Sequence, residues 1–84
     1  MRIYLQTRPD SNATPRFYHL ALQEDLLEGW TLIKETGYLG SKGKVTTQHF
    51  ENQDDALQAM LQIRDAQLKR GYQVVFVQGQ TRPE

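Results

Sequence analysis

The residues best suited to chemistry lie between Trp30 and Lys44, in the run Trp-Thr-Leu-Ile-Lys-Glu-Thr-Gly-Tyr-Leu-Gly-Ser-Lys-Gly-Lys. Gly37, Gly40 and Gly43 recur at every third position, with Tyr38, Lys42 and Lys44 among them. Glycine allows positive φ and lets backbone N–H groups approach a ligand closely, as an anion nest requires. The lysines supply positive charge, and Tyr38 a ring on which a base or ribose can stack. This combination points to phosphate and sugar contact. The same residues also suit a plain hairpin loop, with glycines for its geometry and lysines for solubility.

Sharper motifs are excluded by context. Gly37-x-x-Gly40-x-x-Gly43 is neither GxGxxG nor a P-loop, and it precedes a strand where both of those precede a helix. Gly40-Ser41-Lys42-Gly43 matches the GxxG of KH domains, but strands flank it where the KH loop joins helices. His19 and His49, the only histidines, have no evident companion carboxylate and make no recognisable zinc or catalytic set. The acidic clusters Glu24, Asp25, Glu28 and Glu51, Asp54, Asp55 fall in a turn and at a helix start, where solvation and capping account for them. With no cysteine, no disulfide or thiolate metal site is available. The expectation is a protein that is not an enzyme, with no catalytic residue, no metal site and no cofactor.

The elements that must position the loop follow from periodicity. Arg2 to Thr7 alternates Ile3 and Leu5 against Arg2, Tyr4 and Gln6, the period of a half-buried strand. Pro9, Asp10, Ser11, Asn12 and Pro15 then mark a loop. From Arg16 to Gln23, Tyr18, Leu20 and Leu22 share one face and Phe17, His19 and Ala21 the other, as in a central strand. Glu24 to Gly29 has a hairpin's length, although Leu26 and Leu27 are unusually apolar for a solvated turn. Trp30 to Thr36 and Lys44 to Phe50 are two further strands, and the short spacing favours an antiparallel meander. Trp30 is expected in the core beneath a helix.

The period then changes. Asn52 is a candidate N-cap with Asp54 and Asp55 in the first turn. Ala56, Leu57, Ala59, Met60, Leu61, Ile63, Ala66 and Leu68 form an apolar helical stripe. Lys69 and Arg70 close the helix, Gly71 sits at C′, and Tyr72 is placed to fold back on Leu68. Gln73 to Gln78 is a last strand that must return to the sheet to bury Val74, Val75, Phe76 and Val77. Gly79 to Glu84 is polar.

A chain of 84 residues, with 38% hydrophobic and 24% charged residues, falls in the range of one small globular domain. Residues 1–79 are expected to form it, with 80–84 as a polar tail. The formal net charge of +0 argues against strong non-specific affinity for duplex DNA. Charge is nonetheless segregated, with Lys34, Lys42 and Lys44 around the loop and Arg64, Lys69 and Arg70 on the helix. No membrane span or signal-like N-terminus is legible, and a reducing, cytoplasmic setting is expected.

The combined order resembles the WGR domain, a module of poly(ADP-ribose) polymerases and of small or multidomain bacterial proteins. The residues that carry the likeness are Phe17-Tyr18, Trp30, Gly37, Gly40, Gly43, Phe50, Ala56, Lys69, Arg70, Gly71 and Tyr72. The family's Trp-Gly-Arg triplet aligns with Thr36-Gly37-Tyr38, of which only the glycine is kept. In the polymerases the triplet's Trp and Arg lie against a DNA end. The resemblance also implies an acid-Lys pair late in the helix, where this chain has Ala66-Gln67. It implies an α+β fold: an antiparallel four- to five-stranded sheet with one long α-helix on one face.

Two functional expectations follow. In the first, Thr36, Tyr38, Lys42, Lys44 and Arg16 make weak, salt-dependent contacts with phosphate and sugar at DNA or RNA ends. In the second, DNA binding is lost and the chain docks a protein partner on its uncovered sheet face, where Tyr4 and Phe17 are expected.

Overall fold

The computed structural model describes residues 1–9 and 13–79. Its elements follow in the order β1 (Arg2–Thr7), β2 (Arg16–Glu24), β3 (Trp30–Tyr38), β4 (Lys44–Phe50), α1 (Gln53–Lys69) and β5 (Tyr72–Gln78). The strands form one antiparallel sheet of spatial order β4-β3-β2-β1-β5. With α1 packed on one face, the fold is α+β. Asp10, Ser11 and Asn12 of the expected first loop, and the expected tail 80–84, lie outside the described residues.

Short connections make neighbours of β1, β2, β3 and β4 in turn, as antiparallel hairpins allow. The helix supplies the one long crossover. Its 17 residues span about 25 Å at 1.5 Å per residue. Four inter-strand spacings, roughly 19 Å, separate β4 from β5. The helix is therefore long enough to carry the chain from one sheet edge to the other.

Sheet and helix meet in a small core of Ile3, Leu5, Leu20, Leu22, Leu32, Ala56 and Met60. Cross-strand register explains the grouping: Leu20 lies opposite Ile3, and Leu22 opposite Leu32. Trp30 and Phe50, opposite one another on β3 and β4, pack against this core partly buried. Each fully buried aliphatic side chain contributes about 1.5–3 kcal/mol.

The helix termini behave as the sequence predicts. Asn52 Oδ1 accepts the Asp55 backbone N–H at 2.9 Å, and Asn52 Nδ2 donates to Asp55 Oδ2 at 3.2 Å. At the other end Arg70 N–H donates to Gln67 O at 3.0 Å and Gly71 N–H to Leu68 O at 3.2 Å. Gly71 has φ 100°, the left-handed conformation that favours glycine.

Three details differ from the expectations, and one contact, between Tyr72 and Tyr18, lies outside them. The third strand runs two residues further, to Tyr38, so Gly37 is a strand residue. The helix buries Ala56, Met60 and Gln67, while Leu68 is exposed. Steps of four and seven residues keep those three positions on one face, and Leu68 turns about 100° away from Gln67. Tyr72 meets Tyr18 edge-on, with ring centroids 5.7 Å apart. Val74, Val75, Phe76 and Val77 join the sheet but remain 41–56% exposed, on an edge strand that has a neighbour on one side.

Candidate functional site

Period-two alternation and register assemble the site. On the face that carries the helix, Arg16 lies opposite Tyr38 in one row. The next row is Tyr18, Thr36 and Lys44, and the one after it Leu20, Lys34 and Thr46. The helix crosses elsewhere and leaves this corner open. Tyr18, Lys34, Thr36, Lys44 and Thr46 line a hollow of about 200 Å³ to which no helix residue contributes. Among the described residues it holds two ammonium groups and three hydroxyls, and no carboxylate. Among the described residues none of its lysines is held in an ion pair. Such a lining can accept an anion of phosphate size: lysine brings the charge, and hydroxyls donate to oxygen.

Of the residues expected from sequence, Thr36 and Lys44 enter the hollow directly. Arg16 and Tyr38 form the adjacent row, with Arg16 Cζ 5.7 Å from the Tyr38 ring centroid, a cation–π distance. Tyr38 is 56% exposed and still offers ring surface to a ligand. Lys42 sits in the turn, exposed, and does not line the hollow. Sequence reading left Tyr18, Lys34 and Thr46 out of the site. The available signal was parity: Lys34 shares a face with Thr36 and Tyr38, and Thr46 with Lys44.

The glycines serve packing more than ligand approach. Of the three hairpin glycines only Gly40 has positive φ, 88°. A Cβ on Gly43 would lie 2.7 Å from Glu35 Cγ and 2.8 Å from Phe17 Cζ, and one on Gly37 3.3 Å from Phe17 Cε1. The hairpin end thus closes over the Phe17 ring. That contact explains why Phe17 is buried although it belongs to the sheet face opposite the helix. Tyr4 stacks beside it on that face, with centroids 6.0 Å apart and planes at 9°.

His49 does have a carboxylate partner, contrary to the sequence reading. Its Nδ1 lies 2.8 Å from Asp25 Oδ2, and because an ionised carboxylate only accepts, the ring nitrogen carries the proton. Asp25 Oδ2 also accepts from Thr31 Oγ1 at 3.0 Å, and its Oδ1 from the Leu27 and Gly29 N–H groups at 2.9 and 3.1 Å. The pair is separated by 24 positions in sequence, so it becomes visible only once β3–β4 register places His49 opposite Thr31. An aspartate orienting an imidazole is half of a hydrolytic triad. Here the neighbouring hydroxyl donates to the aspartate, and the ring edge packs against Gly29. The arrangement staples the β2–β3 turn.

Burial opposes ionisation of Asp25, but hydrogen bonds from Thr31, Leu27, His49 and Gly29 outweigh it and hold its carboxyl below the ordinary value of 3.8. Folding thus favours the carboxylate. Its contribution is complete above the unfolded value and disappears as pH falls through the lower folded one. Urea midpoints of wild type and Asp25→Ala should therefore differ clearly at neutral pH and converge below the ordinary carboxylate range. A gap that stays constant with pH would contradict the staple. On the opposite face, burial and the Arg2 guanidinium push His19 below its usual 6.5, against the opposing pull of Glu35. Arg2 Nε donates to His19 Nε2 at 3.3 Å.

A family model described as the WGR domain matches residues 1–78. An uncharacterised protein, y4dW, of Sinorhizobium fredii (strain NBRC 101917 / NGR234) is 28% identical over 71 residues. That match covers 84% of this chain and 35% of the relative, so the chain spans about a third of that protein's length.

Proposed function

This chain belongs to the WGR domain family, and from that premise we propose that it is a non-enzymatic module that grips the phosphate and sugar of nucleic-acid ends. The observation that carries the reading is the open hollow that gathers Lys34 and Lys44 with Tyr18, Thr36 and Thr46. Arg16 and Tyr38 extend it along the next row, and Lys42 adds charge from the turn. Contacts of this kind fix position on a strand and do not read base sequence. With no net charge on the whole chain, binding is weak and falls steeply with salt.

Fluorescence anisotropy with nicked and blunt-ended DNA at low salt tests this. Charge reversal at both hollow lysines, Lys34→Glu with Lys44→Glu, is expected to weaken binding by roughly tenfold or more and to flatten the salt dependence. Lys42→Glu should weaken it less. Absence of binding at high micromolar protein, or an unchanged affinity in the double variant, would overturn the assignment.

A second reading is supported by Thr36 and Tyr38 standing where the family triplet has Trp and Arg, and by the stacked Tyr4–Phe17 pair opposite the helix. There the module has given up nucleic acid and docks a protein on its uncovered face. A defined partner released by Tyr4→Asp, with the hollow lysines dispensable, would favour that reading.

A further inference from the structure

Among the described residues the outer edge of β5 is an unpaired strand edge. β5 pairs with β1 on one side, and among the described residues no strand pairs with the other. Its sequence, Tyr-Gln-Val-Val-Phe-Val-Gln, contains no charge and no proline. Natural edge strands are ordinarily blunted by lysine, proline, a β-bulge or a covering element, and of these β5 carries the bulge. The opposite edge, β4, begins with Lys44 and presents threonine, glutamine and histidine. On β5, Val75, Phe76 and Val77 are 56%, 50% and 53% exposed. A register shift against β1 between Tyr4 and Leu5 leaves Val75 as an extra residue, which bends the strand without occupying its outer backbone groups.

We propose that β5 pairs antiparallel with β5 of a second copy, joining two five-stranded sheets across a two-fold axis. The occupant follows from three features. An antiparallel strand pair is self-complementary, so one edge serves both partners. An uncharged edge meets its own copy without like-charge repulsion, which is what opposes self-pairing at most natural edges. The assembly also closes: once β5 is paired, the outermost strands are the two polar β4 edges, and growth stops at two. Because Phe76 lies opposite Tyr4, the dimer would set two such aromatic pairs side by side. The hollow's lysines lie on β3 and β4, towards the other edge of each sheet, and it meets β5 only through the Tyr18–Tyr72 contact, so pairing leaves both lysines free to bind. One strand pair buries less than the roughly 1,600 Å² of a standard interface, so the dimer dissociates in the range of about 1–100 µM.

Analytical ultracentrifugation of the full 84-residue chain over a concentration series tests the proposal. The weight-average mass should rise from 9.8 kDa towards twice that value. Val75→Lys should raise the dissociation constant at least roughly tenfold, since it sets like charges across the axis. Leu26→Lys, at a still more exposed apolar site in the β2–β3 turn, should leave it unchanged. Hydrogen exchange gives a readout independent of any substitution: β5 amides should gain protection as protein concentration rises. A monomer at every concentration overturns the proposal. So does growth beyond two copies, or a dimer lost through Leu26→Lys and kept in Val75→Lys.

Discussion

Leu20→Ala should remove about 2–5 kcal/mol of stability, the range for deleting a buried leucine side chain. Leu20 has no exposed surface, lies opposite Ile3 on β1 and Lys34 on β3, and belongs to the cluster that includes Ala56 and Met60 of the helix. It stands in the central strand of a five-stranded sheet, so neighbours on both sides limit how far the cavity can collapse. At about 0.05–0.15 kcal/mol per residue, a chain of this size has roughly 4–13 kcal/mol in all. One methyl-rich side chain is thus a large part of the total. Urea denaturation should show a much lower midpoint with an unchanged slope. Leu26→Ala and Leu27→Ala, at sites 100% and 79% exposed, should stay within about 0.5 kcal/mol of wild type. A Leu20→Ala loss below about 1 kcal/mol would contradict the core as described.

Gly29→Ala should be the most damaging glycine substitution, at about 1–3 kcal/mol for overpacking a closed site. Its reason is space, since Gly29 has ordinary φ. A Cβ there would lie 2.4 Å from His49 Cε1 and 2.6 Å from the Phe50 carbonyl oxygen. The imidazole can move only by leaving Asp25, and the carbonyl only by shifting β4. Adding His49→Ala should therefore recover part of the loss and leave the backbone clash. Full recovery would mean that the ring alone blocks the site. Gly40→Ala makes a useful contrast, because a Cβ there meets nothing within 4 Å and the strain comes from φ 88° alone. That conformation costs an L-residue about 1–2 kcal/mol.

The hollow was partly legible beforehand. Thr36 was identifiable as a position of the family triplet, and Lys44 and Tyr38 as charge and ring beside a glycine-rich loop, but the row that Tyr38 makes with Arg16 needed β3 to continue two residues beyond Thr36. Lys34 was visible as charge but not as a site residue, since its role needs Thr46 opposite it and a helix that reaches this row only at Ile63. The glycines were legible as a motif and misleading as chemistry. A glycine that permits a ligand and one that makes room for a phenylalanine look identical in sequence. Only the position of the Phe17 ring separates them.

The sequence alone determined the local elements: alternation marked the strands, and Asn52, Gly71 and the spaced apolar residues bounded the helix. It also determined the family, because the order and spacing of Trp30, Gly37, Phe50 and Lys69 to Tyr72 survive the loss of the triplet's side chains. Backbone preference and hydrophobic period act over a few residues, so a single chain displays them. Tertiary structure decided the rest: that β5 lies beside β1 with, among the described residues, no strand on its other side, that Asp25 meets His49, and that the helix reaches the Lys34–Lys44 corner only at Ile63. Those outcomes depend on which strands become neighbours, in what register, and along which diagonal one helix crosses them. Such relations join residues far apart in the chain, and no local pattern records them.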